Sequence, residues 1–177
     1  MSQGIDCHTL VDLLSQVGAK KASMSDFAKA AGVTRQTLYN RFGTKDALRG
    51  WAILEFMRQV NDTAIDCLDT AQEGRPLEAI EHAFDRWGAD HVQRIFHAPH
   101  GIEILEAGIL LITDLPETPI NDFETHLGAF IAQNNLAPSP SQAAMVLVFA
   151  AKGVFVSSPK KQTFSDQMKQ IIRTVLS

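Results

Sequence analysis

The chain has 177 residues and a mass of 19.4 kDa, with 45% hydrophobic and 20% charged residues. This composition supplies enough apolar material for a folded core and excludes disordered, collagen-like and low-complexity chains. The formal net charge of −4 disfavours a nucleic-acid partner, because proteins that bind nucleic acids are usually basic.

The sequence lacks the features of secreted, membrane and metal-cluster proteins. Its two cysteines, Cys7 and Cys67, are too few for a disulfide framework. The N-terminal residues do not form the basic and apolar segments of a signal peptide, and the longest apolar run, residues 143–151, is too short to span a bilayer. We therefore expect a soluble cytoplasmic protein with no membrane contact. No catalytic or nucleotide-binding motif is present, so we expect neither an enzyme nor a cofactor.

Apolar residues recur at helical spacing along the whole chain, and no stretch shows the alternation of a strand. In the first segment Leu10, Leu14 and Val17 share one face, and Gly18 ends the helix. Further glycines and prolines separate the later segments. The pattern predicts an all-α protein of about nine helices, with three short helices at the N-terminus followed by a longer helical body.

Charge is divided unevenly between these two parts. Residues 1–60 contain eight basic and five acidic side chains, a net charge of +3. Residues 61–177 contain eight basic and fifteen acidic side chains, a net charge of −7. The sum over the chain therefore hides a basic N-terminal segment that suits a nucleic-acid partner.

Two short helices joined by a glycine turn predict a helix-turn-helix. Ala28 and Ala31 are small enough for the helices to approach closely, Gly32 permits the sharp turn, and Val33 and Leu38 fix the second helix to the first. The second helix then begins with side chains suited to reading DNA: Arg reads guanine, Gln reads adenine, and Thr contacts a thymine methyl group or a phosphate. These residues are Thr34, Arg35, Gln36 and Thr37, followed by the phosphate-contacting candidates Tyr39, Asn40, Arg41 and Lys45.

The segment Phe27–Leu48, FAKAAGVTRQTLYNRFGTKDAL, resembles the DNA-binding signature of the tetracycline-repressor (TetR) family. The resemblance implies a helix-turn-helix DNA-binding domain over residues 1–47 and a helical ligand-binding and dimerisation domain over residues 48–177. It also implies a role for Ser23 beside a phosphate. Gln36 stands where Gly or Ala is common in the family, and Asn40-Arg41 replaces the usual aromatic-His pair, which suggests a distinct operator.

Two alternatives accompany this interpretation. A helix-turn-helix can serve only for packing or for binding another protein, since a fold does not determine a function. Tyr39 can close the core of the three-helix head rather than contact DNA.

A ligand pocket in the body would be lined by apolar side chains with a few polar groups. His91 lies on an apolar stripe, where it serves either as a satisfied core histidine or as a hydrogen-bond donor to a ligand. The remaining candidates are aromatic, and each can equally belong to the core. The predicted pocket residues are Phe84, Trp87, His91, Phe123, Phe130 and Phe149.

His97, His100 and Glu103 follow one another at a spacing of three residues, which resembles part of a metal site. Pro99 interrupts the helix at this point, and no ligand set with zinc spacing is present, so we expect no metal. The alternative function is a helical small-molecule or metal-binding protein, a carrier or an enzyme, that uses His91, His97 and His100 and does not bind DNA.

The segment 143–156 is apolar on every side and must be buried all round if it is helical. Either it lies in the core of one chain or, as we expect, it forms a two-fold four-helix interface with the last helix. The residues predicted for this interface are Ala144, Leu147, Ala151, Phe155, Met168, Ile171, Ile172 and Val175.

Together these features predict a dimeric, DNA-binding transcriptional regulator, and the resemblance to the TetR family implies that it acts as a repressor. Its two recognition helices would enter successive major grooves, about 34–36 Å apart, of a near-palindromic operator. A small-molecule effector would release the operator by binding more tightly to a dimer whose heads are wrongly spaced.

Overall fold

A computed structural model describes residues 4–113, 119–157 and 160–176, and within these ranges the chain is helical and contains no strand. One π-helical turn, Asp85–Ala89, connects α5 to α6 without a break. The described residues therefore form nine continuous helical segments, and the all-α prediction is confirmed. The α-helices are α1 Cys7–Val17, α2 Met24–Ala31, α3 Arg35–Phe42, α4 Lys45–Asp69, α5 Pro76–Phe84, α6 Asp90–Phe96, α7 Gly101–Thr113, α8 Pro119–Gln133, α9 Pro140–Ser157 and α10 Lys161–Val175.

Local sequence signals set the ends of the N-terminal helices. Ser23 and Asp26 form a capping box at the start of α2, and Thr34 caps α3. Gly32 has the left-handed conformation, with a φ of 65°, that ends α2 and turns the chain toward α3. The long helix α4 ends at Asp69. The hydroxyl of the next residue, Thr70, donates to the Asp66 carbonyl over 2.6 Å at this end of the helix.

The π-helical turn is a feature that the hydrophobic pattern did not predict. Gly88 lies within it, directly against the aromatic ring of Phe164 on α10, and a Cβ atom at Gly88 would collide with that ring. The hydroxyl of Ser165 donates to Asp85 over 2.6 Å at the start of the same turn. The π-helical turn, which is wider than an α-helical turn, therefore lies where this segment packs against α10.

The described residues divide into two compact units. One takes in residues 1–57 and 94–116, the other residues 58–93 and 117–177. In the first unit α1 packs against α2 and α7, and α2 packs against α3. The α7 helix is therefore part of the unit that contains the helix-turn-helix. The functional boundary between residues 47 and 48 stays a prediction.

The second unit has its core between α8, α9 and α10, with α5 packed on α10. This packing corrects the predicted dimer interface. Six of the predicted residues are already buried inside the protomer, so they do not form a surface that a second protomer would cover; they are Ala144, Leu147, Ala151, Phe155, Met168 and Ile172. Ile171 and Val175 are half-buried.

One face of α9 is apolar and exposed instead. Its large exposed side chains are those of Met145, Val146, Phe149 and Val156. Within the described residues α9 is also the one helix long and apolar enough to cross a membrane, with a mean hydropathy of 1.4, and 33% of its 18 residues are buried. The helix is thus twice the length of the nine-residue apolar run, residues 143–151, that it contains.

Candidate nucleic-acid interface

The helix α3 is held by a single buried side chain. Leu38 is fully buried, and the backbone N–H of Val33, in the turn before α3, donates to the Ala28 carbonyl over 3.0 Å. Every other side chain from Arg35 to Arg41 is exposed. A short helix with one anchor and a polar outer surface has the geometry of a recognition helix that enters the major groove.

The hydroxyl groups predicted to contact DNA take part in helix capping. Thr34 Oγ1 accepts from the backbone N–H of Thr37 over 3.1 Å, and the two threonine hydroxyls are 2.9 Å apart. Ser23 Oγ donates to Asp26 over 2.7 Å, and the Ser23 backbone N–H donates to the same carboxylate over 2.8 Å. These hydrogen bonds lower the pKa of Asp26. Ser23, Thr34 and Thr37 are all exposed, so each remains accessible to a phosphate or a base.

Arg35 and Tyr39 extend from the same helix without local restraint. Both side chains are exposed, and neither has a hydrogen-bond or ion-pair partner among the described residues. Tyr39 is 42% exposed, which disfavours the alternative in which it closes the core of the head. Both side chains are therefore available to a DNA ligand.

The guanidinium group of Arg41 lies on two aromatic rings. Its Cζ is 5.1 Å from the ring centroid of Phe42 and 5.1 Å from that of Trp51. The two rings are 5.0 Å apart and belong to α3 and α4. Trp51 is not among the residues predicted for this interface. The signal that could have identified it is the presence of an aromatic residue on each side of the Gly43 turn. The rings restrict the orientations of the cation, so they prepare Arg41 for contact with a phosphate.

Lys45, the first residue of α4, donates through Nζ to the Lys20 carbonyl over 3.1 Å. The chain before α2 is thereby tied to the start of α4. An ammonium group has three N–H donors, so Lys45 keeps two for a phosphate oxygen. The structure thus gives this predicted phosphate-contacting residue a second, internal role.

Gln36 and Asn40 form a hydrogen-bonded pair on the exposed surface of α3. Gln36 Nε2 donates to Asn40 Oδ1 over 2.7 Å. A helix turns by about 100° per residue, so this pair lies on the side of α3 opposite Leu38. The pair therefore occupies the centre of the surface that faces away from the protein core.

In the second unit, three of the predicted pocket residues form one aromatic cluster. The ring centroid of Phe84 lies 5.4 Å from that of Phe123 and 6.4 Å from that of Trp87, and Trp87 stacks on Phe123 at 6.3 Å. The indole N–H of Trp87 donates to the buried Asn61 over 3.0 Å. Sequence reasoning missed Asn61, which is a polar residue at a buried position of α4.

The other predicted pocket residues do not join this cluster in the described contacts. His91 and Phe130 are half-buried. Phe149 is 62% exposed on α9, where the ammonium group of Lys152 lies 5.0 Å from its ring centroid. The assignment of Phe149 to an internal pocket is therefore corrected, because its side chain points to the surface of the protomer.

The histidines near the α6–α7 corner are occupied by protein contacts. His100 Nδ1 lies 2.8 Å from Glu103 Oε1, and the His100 ring packs against Gly18. His97 is exposed. In the described part of the chain, no three His, Cys, Asp or Glu side chains converge in a way that could hold a metal ion.

Residues 8–50 match the family model for bacterial regulatory proteins of the tetR family. No curated protein matches the chain in sequence. In fold, the chain is similar to a transcriptional regulator from Rhodococcus sp. Rha1, with a TM-score of 0.72 and 19% identity over 99% of this chain and 96% of that one. It is also similar to the fatty acid degradation regulator FadR from Bacillus halodurans, with a TM-score of 0.63 and 16% identity over 100% and 97% of the two chains. A third similar structure is a TetR variant from Acinetobacter baumannii AYE in complex with minocycline, with a TM-score of 0.56 and 15% identity over 98% and 96%.

Proposed function

Because this chain belongs to the TetR family of bacterial regulatory proteins, we propose that it is a homodimeric repressor that releases a near-palindromic operator when a small-molecule effector binds. As a member of this family it is a DNA-binding transcriptional regulator and not an enzyme. The observation that carries the proposal is the burial pattern of α3. Among residues 35–41 only the side chain of Leu38 is buried, while those of residues 35–37 and 39–41 are exposed. Because the proposed ligand is operator DNA, we expect the protein to act in the cytoplasm.

The distribution of charge supports DNA binding by the N-terminal part of the chain. Residues 1–60 carry a net charge of +3, whereas residues 61–177 carry −7. Attraction to phosphates favours the first segment, and repulsion keeps the second away from the duplex. The alternative, a carrier or metal-binding protein, is not favoured, because His100 is paired with Glu103 instead of facing an open site.

The exposed apolar face of α9 supports a homodimer. Met145, Phe149 and Val156 are spaced by four and seven residues, so they lie on one side of the helix. Alongside this face, a groove of about 460 Å³ runs between α9 and α10 and is lined in part by Gly153 and Ile171. A contiguous apolar surface of this kind favours association with a second copy, because burial removes it from water.

We place the effector in the second unit, near the aromatic cluster of Phe84, Trp87 and Phe123. Apolar walls with a few polar groups are typical of small-molecule sites, and the Asn61 amide supplies such a group beside Trp87. The similar Acinetobacter baumannii structure holds minocycline, which supports a ligand-responsive protein without identifying the effector of this chain.

The test of DNA binding is a fluorescence titration of the full chain with a labelled duplex from the region upstream of its own gene. Titration at two salt concentrations should give a lower affinity at the higher salt, because bound phosphates release counterions. A scrambled duplex serves as the control and should bind more weakly. Equal affinity for the two duplexes, or an affinity independent of salt, would overturn the proposal.

The test of the dimer is the mass measured by analytical ultracentrifugation. The wild-type chain should sediment with twice the 19.4 kDa mass of one chain. F149E should sediment as a monomer, because it places a charge at the centre of the exposed apolar face. The matched control Q133E, on an exposed position of α8, should remain a dimer. A wild-type monomer would contradict the proposed assembly.

A further inference from the structure

The hydrogen bond between Gln36 and Asn40 changes what the recognition helix can read. The two amides are one helical turn apart, are both exposed, and are joined by the 2.7 Å bond from Gln36 Nε2 to Asn40 Oδ1. They lie opposite the buried Leu38, at the part of α3 that would enter a major groove most deeply.

This bond leaves the reading atoms of Gln36 intact. A primary amide has one carbonyl acceptor and two N–H donors. The bond to Asn40 uses one N–H of Gln36 and leaves Oε1 and the second N–H for a base. In the major groove adenine presents its N6 donor beside its N7 acceptor, which is the pattern that this pair of atoms complements.

Asn40 also limits how Gln36 can move. A free glutamine side chain on a helix surface samples many rotamers, and fixing one of them on binding costs conformational entropy. A hydrogen bond to an Asn four residues later favours one arrangement before DNA arrives. This preorganisation strengthens the contact with the matching base and does not strengthen contacts with other bases.

The neighbouring side chains of α3 are restrained in other ways. The hydroxyl of Thr37 lies 2.9 Å from that of Thr34 in the helix cap. The guanidinium group of Arg41 lies over the rings of Phe42 and Trp51. Gln36 and Asn40, by contrast, restrain each other through one hydrogen bond between their amide groups. This bond leaves other N–H donors and a carbonyl acceptor of the two exposed side chains available to DNA.

We propose that Asn40 is the positioning residue for Gln36, and that the pair makes each operator half-site specific for adenine at the base pair facing Gln36. The inference rests on the proposed function, in which α3 reads an operator. It assigns to Asn40 a role in base selection in place of the phosphate contact predicted from the sequence.

The experiment is a selection of bound duplexes from a random-sequence DNA library by the full chain. Wild type should enrich adenine at one position of each half-site. N40A should lower the preference for adenine at that position roughly threefold to tenfold and leave the other positions unchanged, since Gln36 must then be ordered when it binds and fixing one such side chain has a cost of this order. N40D keeps the acceptor for Gln36, so it should retain the adenine preference while binding all duplexes more weakly, because its added negative charge faces phosphates.

A double variant tests the mechanism directly. If Asn40 acts through Gln36, then Q36A/N40A should discriminate no worse than Q36A. Q16A removes an exposed amide of α1 outside the interface and should select the wild-type motif. Circular dichroism of each variant should show unchanged helical content.

Four results would overturn the proposal. In the first, N40A selects the wild-type motif with undiminished preference for adenine. In the second, N40D loses the preference for adenine as completely as N40A does, which would mean that Asn40 contacts DNA through its own NH₂ group. The wild-type motif could contain no adenine facing Gln36, and the proposed function would then stand without this inference. If wild type enriched no motif at all, the proposed function itself would fail, and the role of Asn40 with it.

Discussion

Arg94 of α6 and Asp12 of α1 form a two-point ion pair within the unit that contains the helix-turn-helix. Arg94 Nε lies 2.6 Å from Asp12 Oδ1, and Nη2 lies 3.4 Å from Oδ2. The same guanidinium group contacts His8 Nδ1 at 3.1 Å, and its Cζ lies 5.3 Å from the ring centroid of Phe56 on α4. One side chain thus connects three helices, so the C-terminal end of α6 is attached to the head.

We expect R94A to lower the free energy of unfolding by about 1–2 kcal/mol, because it removes an ion pair, a hydrogen bond and a cation–π contact together. R94K keeps the charge but lacks the planar guanidinium group, so it should lower the free energy of unfolding by nearly as much as R94A. R58A, which removes an exposed pair with Asp62, should cost only about 0.3–0.5 kcal/mol. Urea unfolding at one protein concentration measures all three, and equal losses for R94A and R58A would contradict the role given to Arg94.

Arg35 and Lys45 should differ in how they affect DNA binding. R35A should reduce the discrimination between operator and scrambled duplex by about 1–3 kcal/mol, because the exposed guanidinium group is free to read a base. K45A should weaken binding to both duplexes by the same factor, because an ammonium group contacts phosphates without reading the sequence. It should also reduce the number of counterions released on binding by about one. Fluorescence anisotropy titrations measure both variants. If R35A lost equal affinity on both duplexes, Arg35 would not be a base reader.

Gly88 should not tolerate a side chain. A Cβ atom there collides with the ring of Phe164, so we expect G88A to lower the free energy of unfolding by about 1–3 kcal/mol. The matched control is G50A in α4, where a Cβ would meet only Leu111 Cδ2 at 3.8 Å. G50A should raise the free energy of unfolding by about 0.5–1 kcal/mol, because Ala has a higher helix propensity than Gly. Thermal unfolding would refute the steric argument if both alanine variants shifted the transition in the same direction.

The two thiols should react at very different rates. Burial raises the pKa of Cys7 to about 11, and Cys7 is only 1% exposed. Burial also raises the pKa of Cys67, but that residue is half-buried. At pH 8 a disulfide reagent should therefore label one thiol per native chain and two per unfolded chain. C67S should abolish the native reaction, and rapid labelling of C67S in the folded state would show that Cys7 is accessible.

The helix ends and the DNA-binding motif could be predicted from the sequence because they depend on residues close together in the chain. The Ser23–Asp26 capping box, the Thr34 cap and the left-handed Gly32 each involve at most five consecutive residues. The helix-turn-helix is likewise contained in about twenty residues. Local chemistry of this kind is visible in a sequence without any knowledge of the fold.

Assignments that depend on which face of a helix is covered could not be predicted in the same way. The apolar segment of α9 offers several faces of similar hydrophobicity, and only its packing on α8 and α10 buries Ala144, Leu147 and Ala151 while leaving Phe149 exposed. The π-helical turn packs against Phe164, which lies 76 positions after Gly88 in the chain. Neither choice is encoded in the periodicity of a single helix.

By itself, then, the sequence determined an all-α chain with a basic helix-turn-helix and the residues available on its second helix. The tertiary structure decided how those residues are held: Arg41 lies on Trp51, Lys45 reaches back to the Lys20 carbonyl, and Leu38 directs Gln36 and Asn40 outward. The physical reason is the range of the interactions. Capping and helix propensity act within a turn, whereas burial and side-chain orientation depend on residues that meet only when the chain folds.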